Sequence, residues 1–283
     1  MSGDGAHADL ARAKQSEQEA QMARIIAIAN QKGGVGKTTT AVNLAAALAE
    51  ARKRVLLIDM DPQGNATMAS GIDKHAVEHS GCEVLLEEVP LERAIVGSPA
   101  GFDVLPGNSD LTAAEVKLMD ALAREQRLKE CIASVADRYQ YVLIDCPPSL
   151  NLLTLNALTA AHGVLVPMQC EYFALEGLSA LMDTIRAVKA RLNPALEVEG
   201  ILRTMYDVRN NLANDVSAQL TQHFGDKVFR TMIPRNVRLA EAPSHGQSII
   251  EYDRTSRGSI AYLGLAGEMI RREKHPAAHT EQL

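Results

Sequence analysis

Aromatic side chains are scarce in this 283-residue chain: tryptophan is absent, and aromatic residues make up only 4% of the sequence. The apolar fraction is nevertheless 46%, so the hydrophobic core must be built mainly from aliphatic side chains. No stretch approaches the run of about 18 apolar residues that a transmembrane helix requires, so we expect no membrane span. The first residues lack a basic segment followed by an apolar one, and we expect no secretory signal.

Cysteine is also scarce, and basic residues are outnumbered by acidic ones. The four cysteines (Cys82, Cys131, Cys146 and Cys170) include no pair at C-x-x-C spacing, which argues against a metal or disulfide framework and favours reduced, mostly buried thiols of a cytosolic protein. The net charge of -6 disfavours nucleic acid as a partner when taken alone. Residues 203–238, however, carry six basic and three acidic side chains, a balance of +3 that allows a local basic face.

A glycine-rich stretch at residues 30–40 lies between an apolar run at 24–29 and a helix-prone run. A strand, a glycine loop and a Lys-Thr pair that opens a helix are the context of a phosphate-binding loop. Glycines let main-chain N–H groups turn toward a phosphate chain, and the helix N-terminus adds further donors. We therefore expect Lys37 to reach the β- and γ-phosphates and the Thr38 hydroxyl to hold Mg²⁺.

The loop departs from the usual G-x-x-x-x-G-K-[ST] pattern at its first position, where the chain has Gln31 instead of glycine. A second lysine, Lys32, directly precedes the glycine pair. From the residues alone, Lys32 is either an ordinary solvated lysine or a second cation that acts on phosphate.

Carboxylates follow two further apolar strands. The strand predicted at 54–59 ends in Asp59, with Asp61 two residues on, and the strand predicted at 140–145 ends in Asp145 before two prolines. Residues at i and i+2 share one face of a strand, so Asp59 and Asp61 both face the phosphates if the strand continues, the alternative being a turn or helix cap. Asp145 matches a Walker B aspartate that holds Mg²⁺. Asp61 is the candidate to orient the attacking water, and Asp59 to support the metal shell or the loop.

Strands alternate with helices along most of the chain, which predicts a doubly wound, mostly parallel α/β sheet of about seven or eight strands flanked by helices. We expect a disordered or weakly helical tail at 1–22, a single domain at 23–272, and a polar tail at 273–283. The remaining strands are predicted at 102–106, 163–168, 198–203 and 228–233. Helices are predicted at 37–52, 82–88, 91–96, 109–119, 124–138, 152–160, 174–192, 215–224 and 255–272.

Four blocks, residues 30–40, 57–65, 143–148 and 233–244, resemble ParA/Soj-type chromosome or plasmid partition ATPases of the deviant Walker A (ParA/MinD) superfamily. The resemblance extends over roughly residues 24–272, and the last block separates this group from the MinD relatives. It implies ATP and Mg²⁺ as cofactors and an ATP-bound homodimer in which Lys32 reaches the partner's nucleotide. The loop residues around the nucleotide would be Lys32, Gly33, Gly34, Val35, Gly36, Lys37, Thr38 and Thr39.

The same resemblance implies further partners. Pro234 and Asn236 match positions that contact the adenine, whereas Arg209 and Arg238 match basic positions that bind double-stranded DNA without sequence preference. Arg235 lies in the same basic segment and is assigned with them. A ParB-type centromere-binding protein would stimulate slow hydrolysis and so release the DNA. The expected location is the bacterial cytoplasm, at the nucleoid.

Two alternatives remain open. A MinD-like ATPase would bind a membrane or a protein cargo instead of DNA, but such proteins end in a basic amphipathic helix, and Gly264 and Gly267 weaken that interpretation here. Vesicle binding discriminates between these two. A scaffold or transcription regulator would use the nucleotide only as a switch, and single-turnover hydrolysis tests that reading.

Overall fold

Eight strands form one sheet in the computed structural model, which describes residues 23–274; the tail expected at 1–22 and residues 275–283 lie outside the described residues. The strand order is β3-β4-β2-β5-β1-β6-β7-β8, and every neighbouring pair is parallel except β3 and β4. The strands are β1 (Arg24–Ile28), β2 (Val55–Asp59), β3 (Val96–Gly97), β4 (Asp103–Leu105), β5 (Tyr141–Asp145), β6 (Gly163–Gln169), β7 (Glu197–Tyr206) and β8 (Val228–Pro234).

Helices cover both faces of this sheet, as a doubly wound fold requires. They are α1 (Lys37–Glu50), α2 (Asn65–Ala69), α3 (Gly81–Leu85), α4 (Leu91–Ala94), α5 (Leu111–Leu118), α6 (Arg127–Ala133), α7 (Leu152–Ala160), α8 (Ala174–Arg191), α9 (Asn211–Phe224), α10 (Val237–Glu241), α11 (Ile249–Tyr252) and α12 (Arg257–Lys274). The last helix ends two residues beyond the domain boundary expected at 272. The predicted α/β fold class is confirmed.

The central strands are apolar throughout because both of their faces are buried. In β1, Ile25 and Ala27 pack into one apolar cluster with residues of α3 to α9. Their neighbours Ile26 and Ile28 pack into a second cluster on the opposite face, with residues of α1, α2 and α10 to α12. The alternation of side chains along a strand therefore divides the core into two layers.

The prediction of one helix at 124–138 is wrong. The chain instead forms α6 and a separate 3-10 turn at Ala136–Arg138. Asn156 of α7 accounts for the late start of α6, since its side chain accepts a hydrogen bond from the Leu128 N–H and donates one to the Arg124 carbonyl. The two-residue strand β3 was not predicted, because so short a segment carries no periodicity.

The connectivity places a crevice at the carboxyl end of β1. This strand lies between β5 and β6, and the chain leaves it through α1 to reach β2, on the other side of β5. A parallel α/β sheet binds its ligands at such a reversal of strand order. The glycine-rich loop that follows β1 is therefore placed at the expected position for a ligand site.

Candidate active site

A cavity of about 410 Å³ opens at the carboxyl ends of β1, β7 and β8. It is lined by loop residues Gly33, Gly34, Gly36, Lys37, Thr38 and Thr39, together with Met205, Ile233, Pro234, Asn236, Leu239 and Tyr262 from later segments. The structure thus brings together the predicted phosphate-loop residues and the two positions assigned to adenine, which are about 200 residues apart in the sequence. Val35 is buried and does not line the cavity.

The loop has the backbone shape of an anion site. Gly34 and Gly36 have φ values of 73° and 89°, in the left-handed region that favours glycine. Gly36 is also the N-cap of α1 and supplies no capping side chain, so the first N–H groups of this helix lack an intrahelical partner. These donors and the positive end of the helix dipole together favour a phosphate group.

Lys37 is nearly buried within this loop. Its Nζ donates a hydrogen bond to the Lys32 carbonyl oxygen at 3.1 Å. Burial lowers the pKa of Lys37, while the nearby carboxylates of Asp145 and Asp61 act in the opposite direction. The ammonium group is therefore held next to the glycine turns by the loop itself.

Thr38 and Asp145 supply oxygen ligands suited to Mg²⁺. The Thr38 hydroxyl donates to Asp145 Oδ2 at 2.7 Å, and Asp145 Oδ1 is buried without a hydrogen-bond partner among the described residues. Burial raises the pKa of Asp145, and the neighbouring Asp59 raises it further. Mg²⁺ in nucleotide sites binds one or two protein oxygens together with phosphate oxygens, so the orphaned oxygen and the hydroxyl fit this ion.

Asp59 and Asp61 separate at the end of β2. Asp61 lines the cavity, whereas Asp59 is fully buried and does not. Asp59 Oδ2 accepts hydrogen bonds from the N–H and the hydroxyl of Thr67, at 2.8 and 2.7 Å, and Oδ1 accepts from the Asp61 N–H at 3.2 Å. Strand β2 ends at Asp59, so the condition for both carboxylates to face the phosphates is not met. Asp59 holds the loop that carries Asp61, and a direct metal contact by Asp59 stays a prediction.

Lys32 is exposed and does not line the cavity, although the glycines that follow it in the loop do. Its Nζ lies 2.5 Å from Glu171 Oε2, at the start of the segment that leads into α8. Its main chain belongs to the loop, since the Lys32 N–H donates to Asn30 Oδ1. The side chain therefore forms its ion pair outside the cavity lining.

The predicted DNA-binding arginines lie at the carboxyl ends of β7 and β8. The Arg209 side chain is 86% exposed and forms an ion pair with Asp207, and Arg238 pairs with Glu241 at 3.1 Å. Arg235 is exposed and lines the cavity.

Arg203, which contributes to the positive balance of this segment, is buried. Its guanidinium donates to Ser217 Oγ and to the Phe229 carbonyl oxygen. It therefore adds nothing to an exposed basic face.

Several residues at the site carry no local signal in the sequence. The Thr204 hydroxyl donates to the Val35 carbonyl oxygen at 2.7 Å, Asn30 Nδ2 donates to the Pro167 carbonyl oxygen, and the Tyr262 hydroxyl bonds to Thr40. Each contact joins segments that are more than 130 residues apart. Only the position of Asn30 directly after a strand could have suggested such a role. Among residues 23–274, no helix combines the length and the apolar character needed to cross a membrane.

Sequence comparison with known proteins supports the assignment of this cavity to a nucleotide. A family model described as an AAA domain matches residues 23–198. The sporulation initiation inhibitor protein Soj of Bacillus subtilis is 53% identical over 249 residues, which cover 88% of this chain and 98% of Soj. The chromosome partitioning protein ParA of Caulobacter vibrioides is 52% identical over 254 residues, which cover 89% of this chain and 95% of ParA.

A solved structure extends the comparison to ligands. The cobyrinic acid a,c-diamide synthase of Mycobacterium smegmatis, with a bound ATP analog and magnesium, superimposes with a TM-score of 0.80 and 39% identity, covering 92% of this chain and all of that one. Sequence, fold and site geometry therefore agree on one conclusion: the chain belongs to the ParA/Soj-type partition ATPases, which bind ATP with Mg²⁺ and hydrolyse it.

Proposed function

We propose that this ATPase is a dimer switch for DNA segregation, in which the ATP-bound dimer binds DNA and hydrolysis releases it. The observation that carries the proposal is the position of Lys32. This lysine belongs to the phosphate loop, yet its side chain lies outside the cavity and is about half exposed. A cation placed in this way is available to the nucleotide of a second subunit that packs face to face.

We assign a separate role in binding or hydrolysis to each of a few side chains. Lys37 and the loop N–H groups bind the β- and γ-phosphates, and Thr38 with Asp145 holds Mg²⁺, which neutralises phosphate charge when bound. Asp61 orients the attacking water, and Asp59 keeps the Asp61 loop in place. Pro234 and Asn236, which line the same cavity, bind the adenine, and Lys32 acts from the partner subunit.

The proposed DNA face comprises Arg209, Arg235 and Arg238. The Arg235 N–H donates to the Tyr206 carbonyl oxygen at 3.4 Å, which joins the ends of β7 and β8 and brings the segments that carry these arginines to one edge of the sheet. Contacts to phosphate carry no base information, so binding is insensitive to sequence and weakens with salt. Each subunit contributes three arginines to this face, and pairing two subunits doubles the number that face one duplex.

The remaining components are proposed by analogy with the family. A ParB-type centromere-binding protein is the proposed stimulator of hydrolysis, because no arginine of the loop itself supplies the extra cation that speeds phosphoryl transfer. The proposed location is the cytoplasm, on the nucleoid. The cargo is a chromosome or a plasmid.

The deciding experiment measures binding to a random-sequence duplex with Mg-ATP, with Mg-ADP and without nucleotide, at two salt concentrations. Binding only with Mg-ATP, weakened by salt, supports the proposal. Lys32→Ala should still bind a fluorescent ATP analogue but form no ATP-dependent dimer in light scattering. Arg238→Glu should form the dimer but lose DNA, whereas Arg186→Glu, which changes an exposed arginine of α8, should keep both.

Two outcomes would contradict parts of this proposal. An intact ATP-dependent dimer in Lys32→Ala would refute the action of this lysine in trans. Absence of DNA binding in every nucleotide state would remove the DNA switch, and pelleting with anionic vesicles would then test the MinD-like alternative.

A further inference from the structure

The end of β7 contacts the phosphate loop through a buried side chain. Thr204 is 2% exposed, and its hydroxyl donates to the Val35 carbonyl oxygen at 2.7 Å. Its Cβ and Cγ2 lie 3.9 and 3.8 Å from the point that a Cβ on Gly36 would occupy. Thr204 therefore contacts Val35 with its hydroxyl, and its methyl group lies beside Gly36.

This contact determines the orientation of one loop peptide. A trans peptide is planar, so the Gly36 N–H points opposite to the Val35 carbonyl. While that carbonyl is bonded to Thr204, its lone pairs are turned away from a phosphate chain and the N–H direction is set. If the peptide were free to rotate beside Gly36, whose left-handed φ shows the conformational freedom of glycine, it could present an oxygen to the phosphates, and two negative groups would then repel each other.

The backbone of β7 is irregular at the same point. Met205 has a φ of 48°, which is unusual for a residue with a side chain, and it lines the cavity beside Thr204. The pairing of β7 with β8 also shifts register between Arg203 and Tyr206. Unusual backbone conformations concentrate at functional sites, where the surrounding structure holds them in place.

We propose that Thr204 is a positioning residue for ATP, and that its hydroxyl keeps the Val35–Gly36 peptide in the phosphate-binding orientation. This inference rests on the assignment of the cavity to the nucleotide, made above. Thr204 acts through the loop, and its effect therefore appears in the affinity for the phosphate chain.

The test replaces the hydroxyl without changing the shape of the side chain. Thr204→Val should weaken the affinity for a fluorescent Mg-ATP analogue about tenfold, as expected for one lost buried hydrogen bond. Thr204→Ser keeps the donor and should stay within about threefold of wild type. Thr231→Val is the matched control, because it also removes a hydroxyl hydrogen bond, to Glu268 at 2.8 Å, but lies outside the cavity.

Thermal unfolding of the nucleotide-free protein separates positioning from folding. Thr204→Val and Thr231→Val should both lower Tm, but only Thr204→Val should lose affinity. Normal affinity in Thr204→Val, or an equal loss in Thr204→Ser or Thr231→Val, overturns the proposal. If Thr204→Val does not fold, Thr204→Cys takes its place, and its weakly donating thiol should give an intermediate affinity.

A fourth variant separates this inference from the assignment on which it rests. Lys37→Ala should lose most of its Mg-ATP binding if the cavity is the nucleotide site. Unchanged binding in Lys37→Ala would refute that assignment. Lost binding in Lys37→Ala together with normal binding in Thr204→Val would refute the role of Thr204 alone.

Discussion

Replacing Asp145 by asparagine should stabilise the nucleotide-free protein while removing its response to Mg-ATP. Asp145 and Asp59 are paired residues at the ends of β5 and β2, and both are fully buried. Two carboxylates brought together away from water repel each other, and burial raises the pKa of both. When both carboxyls are ionised, they form a like-charge pair whose repulsion a bound cation would relieve.

The size of the effect follows from the geometry. Neighbouring strands lie about 4.8 Å apart, so two charges at about 5 Å and an effective dielectric constant of about 20 repel by about 3 kcal/mol. The attraction between Lys37 and Asp145 offsets part of this repulsion. A net gain of about 2 kcal/mol from Asp145→Asn would raise Tm by about 4–8 °C in a domain of this size.

The assay is thermal unfolding of both proteins without nucleotide, with EDTA, and with Mg-ATP. Because the folded-state pKa of Asp145 is raised, the folded protein binds this proton more tightly than the unfolded chain, and wild-type stability falls as pH rises through that pKa. The advantage of Asp145→Asn should therefore be larger at pH 8 than at pH 5. With Mg-ATP the wild type should gain stability and the variant should not.

Asp59→Asn is the control, since it removes the other charge of the pair. Asp59 accepts hydrogen bonds from Asp61 and Thr67 on both of its oxygens, so an amide would turn its NH₂ group toward a donor. We expect this variant to be less stable than Asp145→Asn by about 1–3 kcal/mol. A lower Tm for Asp145→Asn than for wild type without nucleotide would refute the reasoning.

Three further predictions concern separate parts of the molecule. Burial lowers the pKa of His162, whose neutral Nδ1 accepts a hydrogen bond from the main chain of β1. The stability of the folded protein should therefore fall as pH drops below about 6.5. His162→Gln should flatten this pH dependence in thermal melts. Gly64 has a φ of 60°, and a Cβ on it would lie 2.4 Å from the Gly107 carbonyl oxygen, so Gly64→Ala should lower the free energy of unfolding by about 3 kcal/mol. Gly101 has a φ of 83° but open space around its Cβ position, so Gly101→Ala should lower it by about 1 kcal/mol. Urea unfolding measures both. Asp61→Ala should bind Mg-ATP normally but hydrolyse it at least about 100-fold more slowly in single-turnover assays.

Each of these has an outcome that contradicts it. An unchanged pH dependence in His162→Gln would place the acid sensitivity in other groups. Equal costs at the two glycines would show that close packing at Gly64 contributes nothing beyond its backbone conformation. Normal hydrolysis in Asp61→Ala would show that another group orients the water.

Patterns that are local in the chain predicted much of this molecule. The apolar strands, the phosphate loop and Asp145 could all be recognised from consecutive residues, because a strand buried on both faces needs an apolar run and a phosphate turn needs glycines. Helix boundaries were less accurate where another part of the chain supplies the capping group, as Asn156 does for α6.

The partners of several polar side chains required the folded structure. Asp59 and Asp61 have the same spacing as two residues on one strand face. In the fold, however, Asp59 is hydrogen-bonded by Thr67, and of the two aspartates only Asp61 lines the cavity. In the sequence, Arg203 adds to the positive balance of residues 203–238. In the fold, however, its guanidinium is buried and donates a hydrogen bond to the Phe229 carbonyl oxygen. The residue types and their local spacing set the chemistry available to this chain. The contact of Thr204 in β7 with the Val35 carbonyl was decided by the tertiary structure, because hydrogen bonds across more than 100 residues leave no periodic trace in the sequence.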